Sequence, residues 1–207
     1  MIRFIFIFGP FIIFLAVIVW VVGGALAVTL QMMIRARHAQ HAAWQAFARG
    51  TKLMFKPAQV IGDPIQLNGI YRKRTLFVLT FATDPQDHHT TYTRIALDIS
   101  NPNNVTLKLR GRGIFDPIER TPNTNVVEVG NTAFDRRFFI ESQPTTAAQE
   151  IFTSPYIRQR LKQQDFNLLE INDHQLVLEK FGALHSAENL QALFNLLSDI
   201  ADAATEL

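Results

Sequence analysis

No charged side chain stands between Phe4 and Ile34. The stretch is mostly Phe, Ile, Val, Leu and Ala, far longer than any soluble strand. About 20 apolar residues are enough to cross the hydrocarbon of a bilayer. A chain that begins this way is organised around a hydrophobic helix, predicted here as a transmembrane anchor over residues 1–34. Pro10 is expected in its first turn, where a missing N–H costs little. Gly23 and Ala27 form a small-x-x-x-small pair, a face through which two such helices can approach and the chain can pair with itself or with another membrane protein.

Arg3, the apolar run and Ala25-Leu26-Ala27 imitate a secretory signal and its cleavage site. The apolar core of such a signal is about 7–15 residues, and this one runs on through Met33 and Ile34. A retained span is therefore expected, with export after cleavage as the alternative. Charge sets the orientation. All 18 acidic residues lie at Asp63 or later, whereas Arg3, Arg35, Arg37, Arg49, Lys52 and Lys56 come before. One cation precedes the run and five follow it, which places the carboxy-terminal part in the cytoplasm by the positive-inside rule.

Residues 35–61 read as a basic juxtamembrane helix and linker. Ala39, Ala42, Ala43, Ala46 and Phe47 recur at helical spacing. Arg35, Arg37, Trp44, Phe47, Arg49, Lys52 and Lys56 are the residue types that suit the headgroup layer of a membrane. A soluble domain is expected over residues 62–207. The six early cations leave 14 basic residues against its 18 acidic ones, a formal charge of −4. No nucleic-acid partner is expected from that balance. The lipid bilayer is the expected partner.

The domain reads as α+β, with a mainly antiparallel sheet packed by two or three helices. One long strand is predicted from Ile70 to Ala82, apolar on both faces and so covered on both. From Tyr92 to Ile99 a second strand turns Thr93, Ile95, Leu97 and Ile99 to one side. Val105, Leu107 and Leu109 alternate with a cationic row, Lys108, Arg110 and Arg112. A short strand is expected over 125–129. Later come a helix over 145–152, one opened by Ser154-Pro155, and a hairpin turning at Asn172-Asp173. A last helix, capped by Ser186, carries Leu190, Leu193, Phe194, Leu197 and Ile200 on one face.

Chemistry is sparse. There is no cysteine, which excludes disulfides, thiolate metal sites and a thiol nucleophile. His88-His89 with Asp84 and Asp87 are plausible metal-ligand types, but they lack a second ligand pair at fixed spacing, and no metal or cofactor is expected. Asp116 and Glu119 share a loop with nothing to push their pKa values apart. Lys108, Arg110 and Arg112 are candidate binders of a phosphate or an acidic peptide. Asp135 lies among aromatic residues and is a candidate site residue with Arg94; a turn or cap hydrogen bond is the simpler role for it.

Gly69-Ile70-Tyr71-Arg72-Lys73-Arg74, Tyr92-Thr93-Arg94-Ile95 and Gly130-Asn131-Thr132-Ala133-Phe134-Asp135-Arg136-Arg137-Phe138 carry a resemblance over about residues 68–207. The chain resembles a loose family of uncharacterised bacterial single-span membrane proteins with a cytoplasmic α+β domain of unknown function. That resemblance implies the bacterial inner membrane and supplies no catalytic residues. A membrane-tethered, non-enzymatic binding or scaffold domain is the expected function. The alternative is an enzyme with no recognisable motif, using Asp135 with Arg94 or Arg137.

Overall fold

The computed structural model describes residues 2–58, 63–82, 91–112 and 126–207. These form two compact units, Met1–Gln40 and His41–Leu207. The first unit is helical, part of α1 (Ile2–Thr51). α1 starts before Pro10, so the proline lies inside the helix rather than in its first turn. From Phe14 to Met32 its side chains are almost all apolar and lie uncovered: Phe14, Trp20, Leu26 and Met32 are all exposed. The Thr29 hydroxyl donates to the carbonyls of Ala25 at 3.1 Å and Leu26 at 2.8 Å. The one hydroxyl of the stretch is thus satisfied within the helix, as an apolar surrounding requires. Among the described residues this helix alone is long and apolar enough to cross a membrane.

The second unit is α+β. Its strands are β1 (Met54–Lys56), β2 (Ile65–Tyr71), β3 (Arg74–Ala82), β4 (Thr91–Asp98), β5 (Thr106–Gly111), β6 (Phe138–Gln143), β7 (Leu168–Asn172) and β8 (Gln175–Phe181). They make one antiparallel sheet in the order β1-β2-β3-β4-β8-β7-β5-β6. The helices are α2 (Thr132–Asp135), α3 (Thr145–Ile151), α4 (Pro155–Gln163) and α5 (Ala187–Thr205).

Register explains the core. Leu67, Val78, Ile95, Leu178, Leu169, Leu109 and Ile140 are successive cross-strand partners, and all are buried. Side chains alternate between faces along each strand, so one apolar row fixes every strand's inward side. α5 presents Leu190, Leu193, Phe194, Leu197, Ile200, Ala201 and Ala204 as its buried stripe. Ser186 caps it, its hydroxyl accepting from the Asn189 N–H at 3.3 Å. Ser154 caps α4 in the same way.

Other expectations also need correction. The Ile70–Ala82 strand is the end of one strand and all of the next, with a two-residue turn at Arg72-Lys73. Nor is it covered on both faces: Phe77 is 39% exposed. Of the expected 125–129 strand, the described residues 126–129 contribute one bridge, Val126 to Glu141. Lastly, the second unit begins at His41, not at Gly62. Trp44, Phe47, Ala48 and Leu53 are core residues, so Trp44 and Phe47 cannot serve a headgroup layer. The apolar faces of both rings are taken by protein. Phe47 meets Phe194 edge-on at 5.0 Å between centroids, and Phe194 meets Tyr71 at 5.6 Å.

The end of α1 has a local cause. Lys52 takes a left-handed conformation (φ 61°), and the Leu53 N–H reaches back to the Ala48 carbonyl at 3.1 Å. This six-to-one bond closes the helix and sends Leu53 inward. Leu53 then lies against Gly69, where an added Cβ would meet its Cδ2 at 2.9 Å.

Candidate functional site

A depression in the second unit lies between the β2–β3 turn, the end of β4 and the end of α5. The β2 and β3 strands pair down to Tyr71 and Arg74, leaving Arg72 and Lys73 as the turn. Both are left-handed, with φ 46° and 67°. Such mirror-image turns suit the twist of a hairpin but usually take Asn-Gly. A residue with a Cβ pays roughly 1–2 kcal/mol for that conformation. Here two long cations occupy it.

α5 answers them. Arg72 Nη1 is 3.2 Å from Asp199 Oδ1, and Arg74 Nη2 is 2.6 Å from Asp202 Oδ1. Asp199 and Asp202 lie three apart on the helix, so both face the turn. Beside them Tyr71 donates its hydroxyl to Asn195 Oδ1 at 2.8 Å. The Gln191 amide bonds both of these groups. Opposite, β4 ends at Asp98, and Ile99 and Ser100 follow it. The Thr205 hydroxyl donates to the Ser100 carbonyl at 3.2 Å, tying α5 to that strand end. The open cleft they line has a volume of about 480 Å³.

The candidates read from the sequence are not gathered there. Asp135 is bound to backbone: its two carboxylate oxygens accept from the N–H groups of Val129 and Asn131, each at 3.0 Å. That is the turn-and-cap role. Arg94 pairs with Glu179 at 3.4 Å on the sheet face away from the core. β8, β7 and β5 separate its strand from β6, which follows α2. Four strand spacings put β4 and β6 about 19 Å apart, so Asp135 and Arg94 share no pocket. Arg137 lies over the Phe138 ring, 5.5 Å from its centroid.

Lys108, Arg110 and Arg112 belong to β5 and the residue after it. This is an inner strand, not a guarded edge. Lys108 stands in register between Glu170 and Glu141. Arg110 lies 4.5 Å from the Phe139 ring centroid, and Arg112 Nε donates to the Phe138 carbonyl at 3.1 Å. Arg49 and Lys52 are exposed at the end of α1, as is Lys56 on β1; Arg35 is exposed and Arg37 half-buried within the first unit. Asp84, Asp87, His88, His89, Asp116 and Glu119 lie outside the described residues. Among the described residues no group of three His, Cys, Asp or Glu side chains is placed to hold a metal.

Sequence reading passed over Arg72, Lys73 and Arg74 as strand interior. One signal was there: the Ile70–Ala82 strand would exceed the usual 3–10 residues, and the three cations break its apolar alternation.

No protein-family model and no curated protein sequence matches the chain. Among solved structures, the crystal structure of the mycobacterial trehalose monomycolate transport factor A, TtfA, is similar. Its TM-score is 0.52 at 12% identity, covering 79% of this chain and 93% of that one. At that identity the likeness shows the fold alone, an α+β arrangement.

Proposed function

We propose that the chain is a single-span protein of the bacterial inner membrane, whose second unit is a non-enzymatic binding or scaffold domain in the cytoplasm. One observation carries the tethered part of this reading. α1 supplies the exposed apolar run, and the same helix supplies Trp44, Phe47 and Ala48 to the core of the second unit. An apolar surface of this extent needs a non-aqueous partner, and the excess of cations after the run favours a cytoplasmic domain.

The binding part is supported by where the charged groups sit. Asp135 is committed to backbone, Arg94 to Glu179, and the open cleft is lined by charge pairs. The solved neighbour is described as a transport factor. Fold analogy carries no cargo or partner across, but a protein that works beside another membrane protein fits the same reading. Gly23 and Ala27, with open space around Gly23, offer a helix–helix contact to such a partner or to a second copy.

Alkaline carbonate extraction of membranes tests the span. Retention in the pellet supports it; release into the supernatant would end it. Cross-linking of the full chain with and without Gly23→Leu tests the helix contact. A dimer or partner adduct lost in the variant supports that face, and an unchanged pattern removes it.

A further inference from the structure

The cleft beside the β2–β3 turn holds two charges that the fold does not neutralise. Arg72 and Arg74 are matched by Asp199 and Asp202. Lys73, between them, is exposed and has no carboxylate within ion-pair distance among the described residues. Across the cleft Asp98 accepts a hydrogen bond from the neutral Gln175 amide at 3.3 Å and has no cation within ion-pair distance among the described residues. One ammonium and one carboxylate therefore remain in a lining that also includes Thr75 and Ser100.

We propose that this cleft binds a small amphoteric ligand, an anionic group joined by a short chain to a cationic one. The anion lies at Lys73 and the cation at Asp98. A phosphoethanolamine group has this chemistry, with phosphate and ammonium on a two-carbon chain. The cleft's volume of about 480 Å³ falls in the range of small-molecule sites. A purely anionic ligand would stand against the unpaired Asp98, and a purely cationic one against the unpaired Lys73. Each is opposed by one like charge of the lining, which is how a site rejects the wrong partner. The left-handed turn adds a second reason: glycine or asparagine would relieve it, yet the chain places cations there. The assignment stands apart from the membrane reading, because the group can come from a lipid head or from a soluble phosphoamine.

The full chain in uncharged maltoside micelles, titrated with O-phosphoethanolamine, ethyl phosphate and ethylamine by calorimetry, tests it. Saturable binding of O-phosphoethanolamine is expected, about tenfold tighter than that of either single-charge probe. Lys73→Gln and Asp98→Asn should each weaken it about tenfold while leaving the thermal unfolding midpoint in place, since both side chains are exposed. Displacement of the soluble probe by micelles doped with phosphatidylethanolamine supports the assignment with a lipid source. Retained binding without displacement supports it with a soluble source. Ethyl phosphate binding as tightly as O-phosphoethanolamine would overturn the assignment, as would affinities indifferent to both substitutions. No binding of any probe up to about 10 mM would overturn it too.

Discussion

The Trp44 indole N–H donates to the Leu184 carbonyl at 2.8 Å, joining residues 140 positions apart. Trp44 is on α1; Leu184 follows β8 and precedes α5. Both are buried. A buried indole needs a partner for its N–H, and the loop carbonyl needs a donor, so the contact settles two polar groups at once. It also makes the last turns of α1 a structural part of the second unit rather than a linker to it.

Trp44→Ala is expected to destabilise the second unit by about 3–5 kcal/mol, through lost packing and a cavity. Trp44→Phe keeps most of the apolar bulk but strands the Leu184 carbonyl, at about 1–3 kcal/mol. Urea unfolding followed by Tyr and Trp fluorescence measures both. Equal, small losses would show that the ring is not a core residue.

Gly69→Ala should cost about 1–3 kcal/mol. The backbone there has φ 148°, and the new methyl would press on Leu53 Cδ2 at 2.9 Å. Gly69→Ala with Leu53→Ala removes the steric half of the penalty. A double-mutant cycle showing strict additivity would mean that the two positions do not touch.

Asp135→Asn tests a structural carboxylate. The neutral amide retains one acceptor oxygen where the carboxylate gave two, so one of the Val129 and Asn131 N–H groups loses its partner. A stability loss of about 1–3 kcal/mol is expected. Amide hydrogen exchange at Val129 and Asn131 should quicken. No change in either amide's exchange would return Asp135 to the candidates for another role.

Ser186→Ala removes the α5 cap and is expected to cost about 1 kcal/mol. The same hydroxyl donates to the Glu188 carboxylate, which holds that carboxyl below the usual carboxylate range, with a backbone hydrogen bond adding to the effect. A depressed carboxyl favours the fold above its unfolded-state value, and that contribution fades as pH falls through its folded value. In Ser186→Ala the Glu188 midpoint, read by carboxyl carbon NMR, should move up toward normal. An unmoved midpoint would assign the depression to backbone alone.

How legible the fold was depends on what each residue answers to. Thr93, Ile95, Leu97 and Ile99 face the core as their alternation predicts, because burial on one sheet face imposes period two. Ser154 and Ser186 cap helices as read, since capping is a local hydrogen bond. Arg72-Lys73 was invisible as a turn because its usual signal, Asn-Gly, is missing. Trp44 and Phe47 were misplaced because composition alone fits a membrane surface as well as a core; only the sheet and α5 decide. The candidate cleft depends on Asp199 and Asp202 meeting a turn more than 120 positions earlier, a pairing that no local pattern encodes.

The central claim is a retained span with its domain in the cytoplasm, and the absence of native cysteine allows a direct measurement. Gln159→Cys places one thiol on the exposed side of α4, and Arg3→Cys places one before the apolar run. Each full-length variant is treated with a membrane-impermeant maleimide in spheroplasts, before and after lysis. The account predicts that the thiol at position 3 labels in intact spheroplasts and the thiol at position 159 labels only after lysis. Labelling at position 159 in intact spheroplasts would contradict it.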